Sequence, residues 1–110
     1  MSKSVDKIKL IISPEADYSL SMIYAHSLNQ WGKKRADGYL DELEKSFEML
    51  CNKPNIGHRH PDISGIYSVF LVGRHWIVYY TEKEQLVIIA IIHSSMQINE
   101  QLDRLLTRLK

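Results

Sequence analysis

Cysteine is almost missing from this chain. The single one, Cys51, cannot close a bridge within the molecule, so no disulfide framework holds the fold. Its apolar neighbours Phe47, Met49 and Leu50 make it a small buried hydrophobe. Proline and glycine are scarce, with 3 and 5 residues, which excludes a collagen-like or low-complexity chain and confines turn chemistry to a few places. No apolar run approaches the ~18 residues of a membrane span; the longest, Leu86 to Ile92, has the length of a strand. The opening MSKSVDKIKLIIS carries lysines but no sustained apolar core or small-residue cleavage site, so no secretory leader is expected and the cytoplasm is the expected compartment. An excess of one charge is also lacking: 14 Lys+Arg stand against 13 Asp+Glu, a net charge of +1. That removes the broad basic field of a general nucleic-acid binder and leaves only a local patch open.

What is present is ordinary globular composition, 45% hydrophobic and 25% charged over 110 residues, enough to bury a core without a metal or disulfide staple. Residues 1–110 read as one α+β domain. Lys7 to Ile12 alternates, with Ile8, Leu10 and Ile12 on one face, and predicts a strand. Ser13-Pro14-Glu15 then reads as a helix start: a hydroxyl N-cap, a proline whose missing N–H is harmless, and an acid at the positive dipole end. Ala16, Leu20, Ile23, Tyr24, Ser27, Leu28 and Trp31 follow at helical spacing, predicting a helix from Pro14 to about Gln30. Gly32 breaks it and Lys33 opens a second helix, whose stripe is Ala36, Leu40, Leu43, Phe47 and Leu50 with Tyr39 at its flank. So short a break makes the two helices an antiparallel hairpin.

Asn52 to Gly65, with two prolines and two glycines, reads as a connecting loop. Three strands follow: Ile66 to Leu71, a turn at Val72-Gly73, Arg74 to Tyr80, a polar turn at Thr81 to Gln85, and Leu86 to His93. The last is apolar on both faces and is expected at the sheet's centre. Ile98, Leu102, Leu105, Leu106 and Leu109 predict a C-terminal amphipathic helix at about 98–109. It packs on its own sheet or leaves a groove for a partner. The order is β-α-α-β-β-β-α, a helical hairpin on a mainly antiparallel sheet.

Several segments in this order resemble the RelE/ParE superfamily of small bacterial toxins, and the ParE branch most closely. They are SPEAD at Ser13 to Asp17, WG at Trp31-Gly32, GYLDEL at Gly38 to Leu43, KPNIGHR at Lys53 to Arg59, GIYSVFLVGRHWIVYY at Gly65 to Tyr80, and IIHSSM at Ile91 to Met96. The resemblance spans Ile8 to about Ile98. It implies the toxin of a type II toxin–antitoxin pair, of the kind that stabilises a plasmid. Such a toxin is neutralised by a protein antitoxin, often a ParD-like ribbon-helix-helix protein, and in the ParE branch it acts on DNA gyrase without hydrolytic chemistry or sequence-specific DNA binding of its own. The RelE branch uses the same fold to cut mRNA on the ribosome, so fold alone does not decide between them. An inactive member that keeps only antitoxin binding is a third possibility.

Cleaving RNA through its 2′-OH needs a base, a cation for the phosphorane and an acid for the leaving oxygen. The candidates here are Arg59, Arg74, His75, Tyr79 and His93. Trp76 occupies the place where such nucleases carry a strand arginine, Ser94-Ser95-Met96 stands where they carry a tyrosine, and Asp62 is the lone acid of the preceding loop. On the ParE reading there is no catalytic residue, and target contact falls to Arg74 and His75 at the hairpin tip, to His93, Ser95 and Met96, and to Arg59 nearby. On the ribonuclease reading His93 and Arg74 would be catalytic. Each has a plainer role open to it: His93 as an ordered residue bonding a loop carbonyl, Arg74 and His75 as a solvated tip, and Lys33-Lys34-Arg35 as a solvated face. His58-Arg59-His60 alternates like a metal motif but lacks a third ligand close in sequence; no metal, no cofactor and no membrane are expected.

Overall fold

The computed structural model describes residues 8–60, 63 and 65–109, leaving aside the side chains of residues 108 and 109. Lys7, Asp62, the opening residues and the side chains of Arg108 and Leu109 lie outside that description.

The elements run β1 (Lys9–Ile12), α1 (Pro14–Trp31), α2 (Lys33–Asn52), a 3-10 turn (Pro54–Ile56), β2 (Ser68–Val72), β3 (His75–Glu82), β4 (Gln85–His93) and α3 (Ile98–Leu109). They build the α+β architecture expected from the residue pattern. The four strands lie in the order β1-β4-β3-β2; β1 is parallel to β4 and the other pairs are antiparallel. β4 is internal, as its apolar run requires.

Alternation along the strands divides the core into two layers. Ile77, Tyr79, Leu86, Ile88 and Ile91 face α1 and α2 and pack with Ala16, Leu20, Leu43, Phe47 and Leu50. Val69, Val78, Ile89, Ala90 and Ile92 face the other way and are covered by Ile98, Leu102 and Leu105 of α3. The C-terminal helix therefore packs on its own sheet. Each fully buried Leu, Ile or Phe contributes about 1.5–3 kcal/mol relative to exposure.

The Ser13 hydroxyl caps α1 by accepting from the Ala16 amide (3.0 Å) and donates to the Ile89 carbonyl (3.1 Å). Ile89 is the extra residue of a bulge, since Val78 pairs with Ala90 and Tyr79 with Ile88. The cap thus satisfies a carbonyl that the bulge turns out of the ladder. Gly32 (φ +92°, ψ 172°) joins the two helices in a backbone conformation only glycine takes easily.

Several expected boundaries shift. The first hairpin turns at Gly73-Arg74 rather than Val72-Gly73, because Val72 pairs with His75 and Gly73 supplies the positive φ (+55°) that a tight hairpin needs at the first turn position. The second turn tightens to Lys83-Glu84, so β3 extends through Glu82. The connecting loop holds the 3-10 turn, and His58 bridges Val69 on the outer edge of β2. Leu28 and Trp31, placed by helical spacing on the inward stripe of α1, are 42% and 56% exposed. They lie in its last turn, where Trp31 lies under the Arg35 guanidinium, 4.7 Å from the ring centroid.

Candidate functional site

One corner of the sheet gathers most of the chemistry-bearing residues. Pairing of β3 with β4 sets His75 directly opposite His93. The rings meet edge to face, with centroids 5.1 Å apart and planes at 81°. Tyr39 reaches the same corner from α2. Its Oη lies 2.7 Å from His75 Nδ1, donates to the Val72 carbonyl at 3.0 Å and accepts the Arg74 amide at 3.3 Å.

The segment after β4 closes the other side. The Ser94 amide donates to the Arg74 carbonyl (2.7 Å), and the Met96 amide to the His93 carbonyl (3.0 Å). Nδ1 of His93 accepts the Ser95 amide at 3.0 Å and lies 2.8 Å from the Ser95 hydroxyl. A backbone amide can only donate, so the neutral ring of His93 carries its proton on Nε2. His93 is thus ordered by loop N–H and O–H groups, not by the loop carbonyl that the residue pattern suggests.

Burial pushes the His75 imidazole down to about 4, with added repulsion from His93 and from His26 of α1. At neutral pH His75 is uncharged and cannot serve as a cation. Burial also raises the Tyr39 phenol above its usual value, which keeps the hydroxyl protonated. Arg74 at the exposed tip is the cation of this corner.

The corner brings together Arg74, His75, His93, Ser95 and Met96. It does not include Arg59. His58 pairs with Val69 in the antiparallel sense, so Arg59 runs toward the start of β2, where its Nη1 donates to the Gly65 carbonyl. That is the end of β2 opposite the Gly73-Arg74 turn. Trp76 faces the α3 side of the sheet, with His58 and His60 against its edge at 6.0 and 5.5 Å between centroids. Among the described residues no group of three or more His, Cys, Asp or Glu side chains is placed to hold a metal ion. Tyr79, the other nuclease candidate, is 1% exposed; its hydroxyl donates to the Pro54 carbonyl (2.7 Å) and accepts the Gly57 amide (3.1 Å).

The residue pattern puts Tyr39 at the flank of the α2 stripe and gives no signal for His26. The available signal for Tyr39 was a polar-tipped aromatic beside an apolar stripe, which tends to bury its ring and bond through its hydroxyl.

A family profile described as "ParE toxin of type II toxin-antitoxin system, parDE" matches residues 10–98. The chain belongs to the ParE toxin family. This ParE-family toxin is 29% identical over 85 residues to Toxin ParE1 of Caulobacter vibrioides, covering 77% of this chain and 88% of that one. It is 25% identical over 95 residues to Toxin ParE1 of Mycobacterium tuberculosis, covering 86% and 97%. A solved structure of the chromosomal ParDE toxin–antitoxin system from P. aeruginosa superposes with a TM-score of 0.70 at 16% identity, over 80% of this chain and 97% of that one. That likeness concerns the fold. In this ParE-family toxin the match ends at residue 98, where α3 begins, so nearly all of α3 lies beyond the matched segment. No helix among the described residues is long and apolar enough to cross a membrane.

Proposed function

We propose that this ParE-family toxin acts by binding DNA gyrase in the cytoplasm, without chemistry of its own, and that a cognate ParD-like antitoxin of the ribbon-helix-helix type neutralises it. Target contact falls to Arg74, His75, His93, Ser95 and Met96, with Arg59 contributing from the far end of β2. The observation that carries this reading is that the five nuclease candidates do not form one complete set: Arg74, His75 and His93 share the corner, whereas Arg59 and Tyr79 lie away from it. Arg74 sits at the tip, His75 is neutral, Arg59 is tied to Gly65 at the other end of β2, and Trp76 faces the opposite side of the sheet. A phosphorane needs its cation, acid and base aimed at one point.

The antitoxin covers the outer face of the helical hairpin and the sheet edge. Tyr18 and Met22 on α1 are 67% and 52% exposed, a helical i, i+4 pair open to a partner's apolar residues. Beside them, β1 ends opposite Ile88 while β4 continues to His93. A groove of about 400 Å³ lies there between Tyr18, Ala90, Ile92 and Arg104. An extended antitoxin segment suits a strand edge left without a neighbour.

One observation favours a second reading, the ribosome-dependent mRNA interferase: two imidazoles 5.1 Å apart beside Arg74. Induction in cells separates the two. A gyrase poison gives filamentous cells, a DNA-damage response and intact mRNA, whereas an interferase halts translation and cuts mRNA in frame with codons. Viable, unaffected cells would favour an inactive member that retains antitoxin binding alone.

A further inference from the structure

The Tyr39 hydroxyl has three neighbours and one proton. The Arg74 amide can only donate and the Val72 carbonyl can only accept. If the hydroxyl proton went to His75 Nδ1, Tyr39 Oη and the Val72 oxygen would face each other at 3.0 Å with lone pairs opposed. If Nδ1 carries the imidazole proton, every contact is satisfied: Arg74 N–H and His75 Nδ1–H donate into Oη, and Oη donates to Val72. That assignment leaves Nε2 of His75 as an acceptor, beside a His93 whose Nε2 is a donor. In their neutral forms the two rings of the corner are therefore opposite tautomers.

The ring of Tyr39 is as constrained as its hydroxyl. A Cβ on Gly73 would stand 2.7 Å from Tyr39 Cε1 and 2.9 Å from Oη, nearer than real Cβ atoms approach. The turn lies directly on the tyrosine, and three consecutive residues after Val72 touch it, by van der Waals approach at Gly73 and by hydrogen bonds at Arg74 and His75.

We propose that Tyr39 is a positioning residue for target binding: it docks the Gly73-Arg74 turn on α2 and fixes His75 with Nδ1 protonated, so that the corner offers Arg74 as a cation and His75 Nε2 as an oriented acceptor. This rests on the assignment of Arg74 and His75 as target contacts. The neutrality of His75, held down by burial and by the neighbouring imidazoles, agrees with a hydrogen-bonding role and not a cationic one. The partner chemistry that fits is an anionic side chain for Arg74 beside a donor, such as a backbone amide or a hydroxyl, for His75.

The test is Tyr39→Phe in the full chain, which keeps the ring beneath Gly73 and removes only the hydroxyl, with Arg74→Ala alongside. Nitrogen-15 correlation spectra of the imidazoles are expected to show His75 protonated on Nδ1 in the parent and shifted toward Nε2 in Tyr39→Phe, with the Arg74 amide resonance displaced. The toxin level needed for half-maximal growth arrest is expected to rise roughly tenfold, the worth of about one hydrogen bond, while antitoxin affinity stays within about twofold. An unchanged tautomer and an unmoved Arg74 amide would overturn the proposal. So would full potency in Tyr39→Phe when Arg74→Ala has lost it; that outcome leaves the target assignment standing. Full potency in Arg74→Ala instead removes the target assignment itself, and the positioning role with it.

Discussion

Nδ1 of His75 lies 2.7 Å from the hydroxyl of Tyr39, 36 residues earlier in the chain. That contact joins the helical hairpin to the hairpin of the sheet at the corner proposed as the target-binding surface. His75 is half-buried there and neutral, with consequences for stability and for the turn beside it.

Stability should fall on acidification because of His75. Its ordinary value is 6.5 and its folded value about 4. Between those values the unfolded chain binds a proton that the folded chain refuses, so the contribution is complete above about pH 6.5 and is lost as pH falls toward 4. At about 1.4 kcal/mol per unit the ceiling is about 3 kcal/mol; solvent screening of a half-exposed ring reduces this to about 1–2 kcal/mol. Urea unfolding near pH 7 and near pH 4.5 checks it: the parent should lose more stability between the two than His75→Gln.

Gly73→Ala should destabilise the fold by about 1–3 kcal/mol through its positive φ, and by more where Tyr39 cannot retreat. Lys83 holds the same φ of +55° in the other hairpin turn, so a side chain at that angle is not prohibitive by itself. The crowding against Tyr39 is what separates the two positions. A urea midpoint for Gly73→Ala no lower than that of the parent would contradict this.

Tyr79 forms a second clamp, between β3 and the turn after α2. Tyr79→Phe leaves the Gly57 amide and the Pro54 carbonyl without their shared hydroxyl partner and should cost about 1–3 kcal/mol. Gly57→Ala should be worse, because its Cβ would meet the Tyr79 ring at 2.9 Å and the hydroxyl closer still. Chemical unfolding of the two variants should rank them in that order.

Leu102 is 3% exposed in the layer beneath α3. Leu102→Ala should cost about 2–5 kcal/mol as transfer and cavity terms combine. If α3 then loosens, Val78, Ala90 and Ile92 become accessible, and binding of an apolar dye should increase with the loss of stability. A stability change under 1 kcal/mol would mean that α3 adds little to this face.

Much of the fold was legible because its signals are local. The alternation at Ile8, Leu10 and Ile12, the Ser13-Pro14 start, the Gly32 break and the apolar run of β4 each follow from residues within a few positions of one another. The misplacements have non-local causes. Leu28 and Trp31 keep the helical period but lie in the last turn of α1, and periodicity does not report how far the sheet extends beneath a helix. Local residues put the first hairpin turn one position early because both frames contain the glycine, and only the pairing of Val72 with His75 chooses between them.

The corner was half legible. Arg74, His75, His93 and Ser95 stand out as polar residues at strand ends. Tyr39 reaches it from α2, and no sequence spacing links that helix position to β3. Chain order alone puts Arg59 near the corner, whereas the antiparallel bridge of His58 to Val69 carries it to the other end of β2.

The most direct test of the proposed activity is a gyrase supercoiling and cleavage assay with purified toxin, with and without ATP, beside a coupled translation reaction. The gyrase reading predicts that supercoiling fails and cleaved DNA accumulates while translation proceeds, and that Arg74→Ala relieves the block with antitoxin affinity nearly unchanged. Intact supercoiling, together with mRNA cut only when ribosomes are present, would contradict it and make His93 the next residue to substitute.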